Sequence, residues 1–284
     1  MVEIKAYALA VDKKSYPTHK WDFGFVKEAF DIEKIEVVEC ETLPEIERAF
    51  VIIAGFENRM IANDVSRELN KINRVVLFVT GDETGAFDYA GINHPNIEIW
   101  VQSPFPQHAQ YNKMPIGVTS DLKKYVPPYS AKKYDAFYSG QVNHQRREEL
   151  VMAMNNVPNV LCNATPGFTQ GYPIGEYYHK MHESKIAPSP AGAITIDSFR
   201  FYEAIEMLSL PIADSKNSVG YIPGFWELLF GENVPFNKVT DWNDLSKLVP
   251  DLLNNYPENL HRVVSWWIKY KRDFRNKIME QVNA

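Results

Sequence analysis

The chain has 284 residues, enough for one large domain or two ordinary ones, and its hydrophobic share of 45% supports real cores and excludes wholesale disorder. Its formal charge of −6 speaks against a broad polyanion-binding surface. Two cysteines, Cys40 and Cys162, are too few for a disulfide framework or a zinc cage and read as reduced thiols of a cytoplasmic protein. The opening MVEIKAYALAVDKK lacks a signal-peptide pattern, and no apolar run reaches the ~20 residues of a membrane span.

In chain order, strand-like runs alternate with helix-like ones. Ile4–Val11 is apolar and β-rich, and Asp22–Phe30 is helical. Glu36–Glu39 is a short strand and Phe50–Ala54 a fully apolar one. Asn58–Lys71 reads as a helix, Arg74–Val79 and Ile97–Val101 as strands, and Ser103–Pro115 as a Pro-rich crossing. The charged, Pro-containing stretch Lys123–Lys133 is the expected linker. Beyond it the scheme repeats. Strands are predicted at Tyr134–Ser139, Val160–Cys162, Lys185–Pro188 and Pro211–Ala213, with helices opening near Asn143, Pro173, Ser198, Gly224 and Asp241. A long aromatic helix covers Glu258–Val282. Such alternation predicts two α/β domains with parallel sheets, whose ligands bind at the carboxyl ends of the strands.

The densest chemistry lies in Ser184–Asp214, read as strand, small-residue loop, amphipathic helix and strand. Arg200 and Glu203 share one helix face, while Phe201, Ala204, Ile205 and Leu208 make the core face. A helix N-terminus with an arginine suits a diphosphate, and a glutamate one turn on suits a ribose. Residue by residue, a capped helix with a surface ion pair explains the same pattern. Upstream, Tyr134–Gly140 reads as a strand ending in glycine, before a helix carrying Arg146 and Arg147. The residues leave open which of the two arginines faces a ligand.

The block resembles the C-terminal half of exostosin-like glycosyltransferases. The matching residues are Ser184-Lys185-Ile186, Pro190, Gly192, Ser198, Arg200, Phe201, Glu203-Ala204, Pro211-Ile212 and Asp214. Tyr178, Met181 and Ser184 fit the approach to that block, and Pro235-Phe236, Trp242 and Leu245-Ser246 fit a segment after it. Ser209-Leu210 replaces the family's usual Gly-Cys. The first half is less similar: Gly81-Asp82-Glu83 after a buried strand resembles a "GDE" of bacterial members, and Pro115-Ile116-Gly117 their "PLG".

The resemblance implies a GT-B type fold, two Rossmann-like domains facing across a cleft with the C-terminal helix crossing back to the first. The expected boundaries are 1–125 plus 268–284 for an acceptor domain and 126–267 for a donor domain. It implies an inverting, metal-independent glycosyltransferase that moves a sugar from a nucleotide-sugar, a UDP-sugar first, to the hydroxyl of a glycan or small acceptor. Donor-binding residues would be Gly140, Arg146 or Arg147, Lys185, Gly192, Ser198, Arg200 and Glu203. Asp82 or Glu83 would be the acceptor base, although GDETG is also an ordinary polar turn. Asp12, His19 and Asp22 are rivals for that role, and Trp21 could stack on a sugar. Two alternatives stand beside this. One is a phage-type enzyme acting on hydroxymethylated bases of DNA, with Lys123, Lys124, Lys132 and Lys133 meeting phosphates. The other is a non-catalytic sugar- or nucleotide-binding module.

Overall fold

The structure is a computed structural model that describes residues 4–10, 23–54, 62–119, 122–128, 130–167, 170–218, 220–221 and 223–284. Asp12, His19, Trp21 and Asp22 lie outside them, as do the first residues of the helix expected from Asn58. The chain divides into two compact units, residues 1–120 with 270–284, and residues 121–269.

The first unit is built on β1 (Lys5–Leu9), α1 (Gly24–Glu33), β2 (Val37–Cys40), β3 (Ile46–Ala54), α2 (Ala62–Leu69), β4 (Ile72–Thr80), β5 (Ile97–Val101) and β6 (Asn112–Lys113). The strands form one sheet in the order β2-β1-β3-β4-β5-β6, every pairing parallel. The carboxyl-terminal parts of β3 and β4, Ala49–Ala54 and Val75–Val79, are continuous apolar runs because both faces of a parallel sheet are covered. Alternate residues divide between two cores. Val51, Ile53, Leu77 and Val79 pack with Val65 and Leu69 of α2. Phe50 and Phe78 turn to the other face, where Phe30 lies 4.9 Å from Phe50 between ring centroids. The Pro-rich crossing expected after β5 holds the short edge strand β6, which composition does not reveal.

The second unit holds β7 (Tyr134–Gln141), α3 (Gln145–Met154), β8 (Val160–Thr165), α4 (Ile174–His182), β9 (Ser184–Ser189), α5 (Phe199–Glu206) and β10 (Leu210–Asp214). A small hairpin, β11 (Lys216–Asn217) with β12 (Gly220–Tyr221), precedes α6 (Phe225–Phe230), β13 (Asn237–Val239) and α7 (Leu245–Asn254). Its sheet is parallel throughout, in the order β13-β10-β9-β7-β8. The chain closes with α8 (Tyr256–Asn283). Trp267 packs on Tyr202 of α5, whereas Phe274 packs on Phe25, Phe78 and Trp100 of the first unit. Both units are Rossmann-like in the elementary sense of parallel strands joined by crossover helices. Among the described residues no helix is long and apolar enough to cross a membrane.

Candidate functional site

In the second unit, β7 and β9 are paired in register from Tyr134 opposite Ser184, so their carboxyl ends lie on the same edge of the sheet. At that edge the chain runs from β7 into α3, and from β9 through Pro190–Ser198 into α5. The two connections bring Gly140, Arg147, Gly192, Ser198 and Arg200 to one end of the unit.

Arg200 is the centre of the arrangement. Its guanidinium donates to the carbonyl of Ser139 at 3.0 Å and lies over the Tyr138 ring, 4.8 Å from the centroid. Gly140 is required by this packing: a Cβ there would run into the Arg200 guanidinium. Burial works against the Arg200 charge, but Tyr177, Tyr138 and Glu203 together hold its pKa above the usual value. Gly192 is likewise confined, since an added Cβ would meet the Thr195 carbonyl at 3.1 Å and the Asp197 carbonyl at 3.3 Å. Ser198 is the N-cap of α5 but makes no side-chain capping bond; its amide donates to the Asp197 carboxylate at 3.0 Å. Tyr202 donates to the same carboxylate oxygen at 2.7 Å, which fixes the entry to the helix.

The paired arginines are placed differently. Arg146 is 5% exposed and forks onto Asp214, its Nε and Nη2 donating at 3.1 and 2.6 Å. Asp214, fully buried, also accepts from the amides of Ala191 and Lys216 and from the Trp242 indole. Arg146 therefore ties α3 to the end of β10, which speaks against the donor-binding role expected of it. Arg147, one position on, points back over β7: its Nη1 donates to the Gln141 carbonyl and to Asn143, each at 3.2 Å. Its Nε has no partner, nor has the Nε of Arg200. Burial, then the charge of Arg200, pushes the Arg147 pKa down to about 10. Two cations thus press on each other at one edge, and only Arg200 has a carboxylate, Glu203, acting on its charge. That is the electrostatic condition of an anion site.

His144, not anticipated from sequence, stands at the N-cap of α3 within electrostatic reach of Arg147 and Arg200; its ring faces the Ala191 backbone and neither nitrogen has a side-chain partner. Burial, then Arg147, lowers its pKa to about 4. The signal available in the sequence was its position four residues beyond Gly140 and three before Arg147.

Three expected site residues have other employment. Lys185 is the second residue of β9 and pairs with Asp135 at the start of β7, at 2.8 Å. It stands at the amino edge of the sheet, away from the loops that hold Gly140 and Gly192. Glu203 is 7% exposed and accepts the hydroxyls of Tyr177 and Tyr178 at 2.9 and 3.0 Å, one on each oxygen, so a ribose would have to displace a tyrosine. In the first unit Asp82 is 2% exposed and closes the turn after β4. It accepts from the amides of Ala86 and Phe87 and from the Tyr89 hydroxyl, which explains it as turn chemistry. Glu83 beside it is exposed.

Lys132 donates to the carbonyls of His182 and Leu208, and the exposed Lys133 pairs with Glu183. Among the described residues no group of three or more His, Cys, Asp or Glu side chains is placed to hold a metal ion.

Residues 124–284 match the family model described as the RXYLT1 C-terminal domain. The chain belongs to that family. The match contains Gly140, His144, Arg147, Gly192 and Arg200, and the exostosin-like resemblance read from Ser184–Asp214 is borne out by it. No curated protein matches the chain. Among solved structures the chain is similar to a T4 phage BGT mutant in complex with UDP-glucose, at 12% identity, with 99% of each chain covered and a TM-score of 0.49. It is also similar to an alpha1,3-fucosyltransferase at 11% identity, over 92% of this chain and 82% of that one, with a TM-score of 0.48. An alpha-glucosyltransferase in complex with UDP and a DNA 13-mer containing a HMU base matches at 11% identity. There 96% of this chain and 99% of that one are covered, with a TM-score of 0.40.

Proposed function

We propose that the protein is a glycosyltransferase that takes a nucleotide-sugar donor, a UDP-sugar first, in the second unit and passes the sugar to an acceptor hydroxyl. The observation that carries this is the convergence of Arg147 and Arg200 on Gly140, at the carboxyl edge of a parallel sheet. Family membership over residues 124–284 supports it. Cations preplaced where a diphosphate leaves stabilise the charge that develops as the glycosidic bond breaks, often the largest single contribution to such a reaction. With Asp82 closing its own turn, the acceptor base is assigned to the exposed Glu83, which would take the proton of the attacking hydroxyl. Transfer needs no metal in this scheme, because the two guanidinium groups supply the positive charge. Activity is therefore expected to be unchanged by EDTA, and loss of transfer that added magnesium restores would overturn that part of the reading.

The direct test is a thermal-shift panel of nucleotides and nucleotide-sugars, since a ligand of the folded state raises the melting temperature by mass action. A nucleotide-sugar that stabilises the wild type and leaves Arg200→Ala and Arg147→Ala unmoved is the expected result. Equal stabilisation of all three proteins would remove the donor site from this edge.

A further inference from the structure

Buried polar atoms without partners are uncommon in folded proteins, and their positions are informative. Among the described residues seven buried side-chain N and O atoms lack a hydrogen-bond partner, and four of them belong to His144, Arg147 and Arg200. All three residues are only half-buried, so the cluster is not sealed from solvent. His144 comes from the β7–α3 connection, Arg147 from the first turn of α3 and Arg200 from the first turn of α5. Three elements thus deliver unused nitrogen donors to one place, beside a glycine whose missing side chain leaves room for Arg200.

We propose that His144 is the third ligand of the anion held by Arg147 and Arg200, and that its ring takes up one proton from solvent as the anion binds. This rests on the reading of the same edge as a diphosphate site. The groups facing the imidazole are cations and backbone: Arg146 and Arg147 from α3, Arg200 from α5, and the Ala191 backbone from the loop after β9. Arg146 is already neutralised by Asp214. Burial and the arginines all oppose the charge of His144 and favour its neutral form. An anion placed among these groups reverses the sign of the local field, so the imidazolium becomes the favoured form and donates to the phosphate. Each phosphate of an intact nucleotide-sugar carries a single charge, whereas the terminal phosphate of the released nucleoside diphosphate carries nearly two near neutrality. His144 therefore grips the leaving product more tightly than the incoming donor while that terminal phosphate keeps its second charge, above about pH 6.

The test is calorimetric titration of the full chain with UDP and, separately, with inorganic pyrophosphate, in two buffers of different ionisation enthalpy, at about pH 6 and about pH 8. Wild type and His144→Gln are compared, the latter keeping a neutral hydrogen-bonding side chain that cannot be protonated. The wild type is expected to take up more protons than His144→Gln with both ligands at the lower pH. Its affinity there should exceed the variant's about tenfold, the effect at pH 6 of an anion that raises the His144 pKa from about 4 to about 7. The gap should narrow towards pH 8. Melting curves of the free proteins report whether the variant is folded, and His144→Asn serves as a second neutral replacement if it is not. Equal proton uptake and equal affinity in wild type and a folded variant would overturn the assignment. Binding of pyrophosphate with proton uptake, but no binding of UDP, would leave His144 in place and remove the nucleotide reading. Failure of both ligands to bind the wild type would remove both.

Discussion

Arg146 and Arg147 are neighbours in sequence and do different work. One helical step is about 100° of rotation, enough to send the first guanidinium into the unit against Asp214 and the second over the end of β7. Removing one partner of a buried pair strands the other charge. Asp214→Ala is therefore expected to cost about 3–5 kcal/mol of stability, measured by urea unfolding. A loss under about 1 kcal/mol would show that the pair contributes little. Arg147→Ala should leave the unfolding midpoint nearly unchanged while abolishing ligand-induced stabilisation. Gly140→Ala separates packing from binding in the same way. The added methyl meets the far end of the Arg200 side chain and comes to 3.3 Å from the Tyr138 hydroxyl, so stability should change by about 1 kcal/mol. Arg200 would be displaced, however, and donor affinity should fall about tenfold or more. Unchanged affinity in folded Gly140→Ala would show that Arg200 does not need its present seat.

At the scale of elements, the alternation of strands and helices was legible because buried parallel strands are continuous apolar runs and the helices carry one apolar face each. The same rule points to the carboxyl edge of the sheet as the place of the proposed site. Applied strictly, it would have excluded Lys185, which opens its strand rather than ends it. What sequence could not supply were partners distant along the chain. Asp214 lies 68 positions from Arg146, and Tyr177 and Tyr178 lie 26 and 25 positions before Glu203. Neither pairing has a local signature. Strands as short as β6 and β13 carry too few residues to show a period. The long last helix was legible from its aromatic stripe. Its final turns belong to the core of the first unit, where Phe274, Ile278 and Val282 are buried. Phe274→Ala removes a ring that touches Phe25, Phe78 and Trp100, and should destabilise the protein by about 3–5 kcal/mol. Calorimetric melting checks this, and an unchanged transition would mean that the helix end is not part of that core.

For the molecule as a whole, burial holds His108, His144 and His182 below the ordinary histidine value, His144 at about 4. In each case the unfolded chain binds the proton first, so stability is retained above about pH 6.5 and declines as pH falls below it. For His144 the decline continues down to about pH 4. Melting temperature against pH should therefore slope downward on the acid side, less steeply in His144→Gln. Pyrophosphate should also flatten the slope, because the bound anion lets His144 accept its proton in the folded state. A slope identical with and without pyrophosphate would argue against a filled anion site.

The account as a whole turns on the guanidinium pair at the end of β7. Calorimetric titration of the wild type, Arg147→Ala and Arg200→Ala with UDP and a panel of UDP-sugars tests it most directly. The structure predicts saturable binding to the wild type and at least a hundredfold weaker binding to each variant, the loss of about 3 kcal/mol expected when a charge-assisted contact to phosphate is removed. Full-strength binding in both folded variants would contradict it.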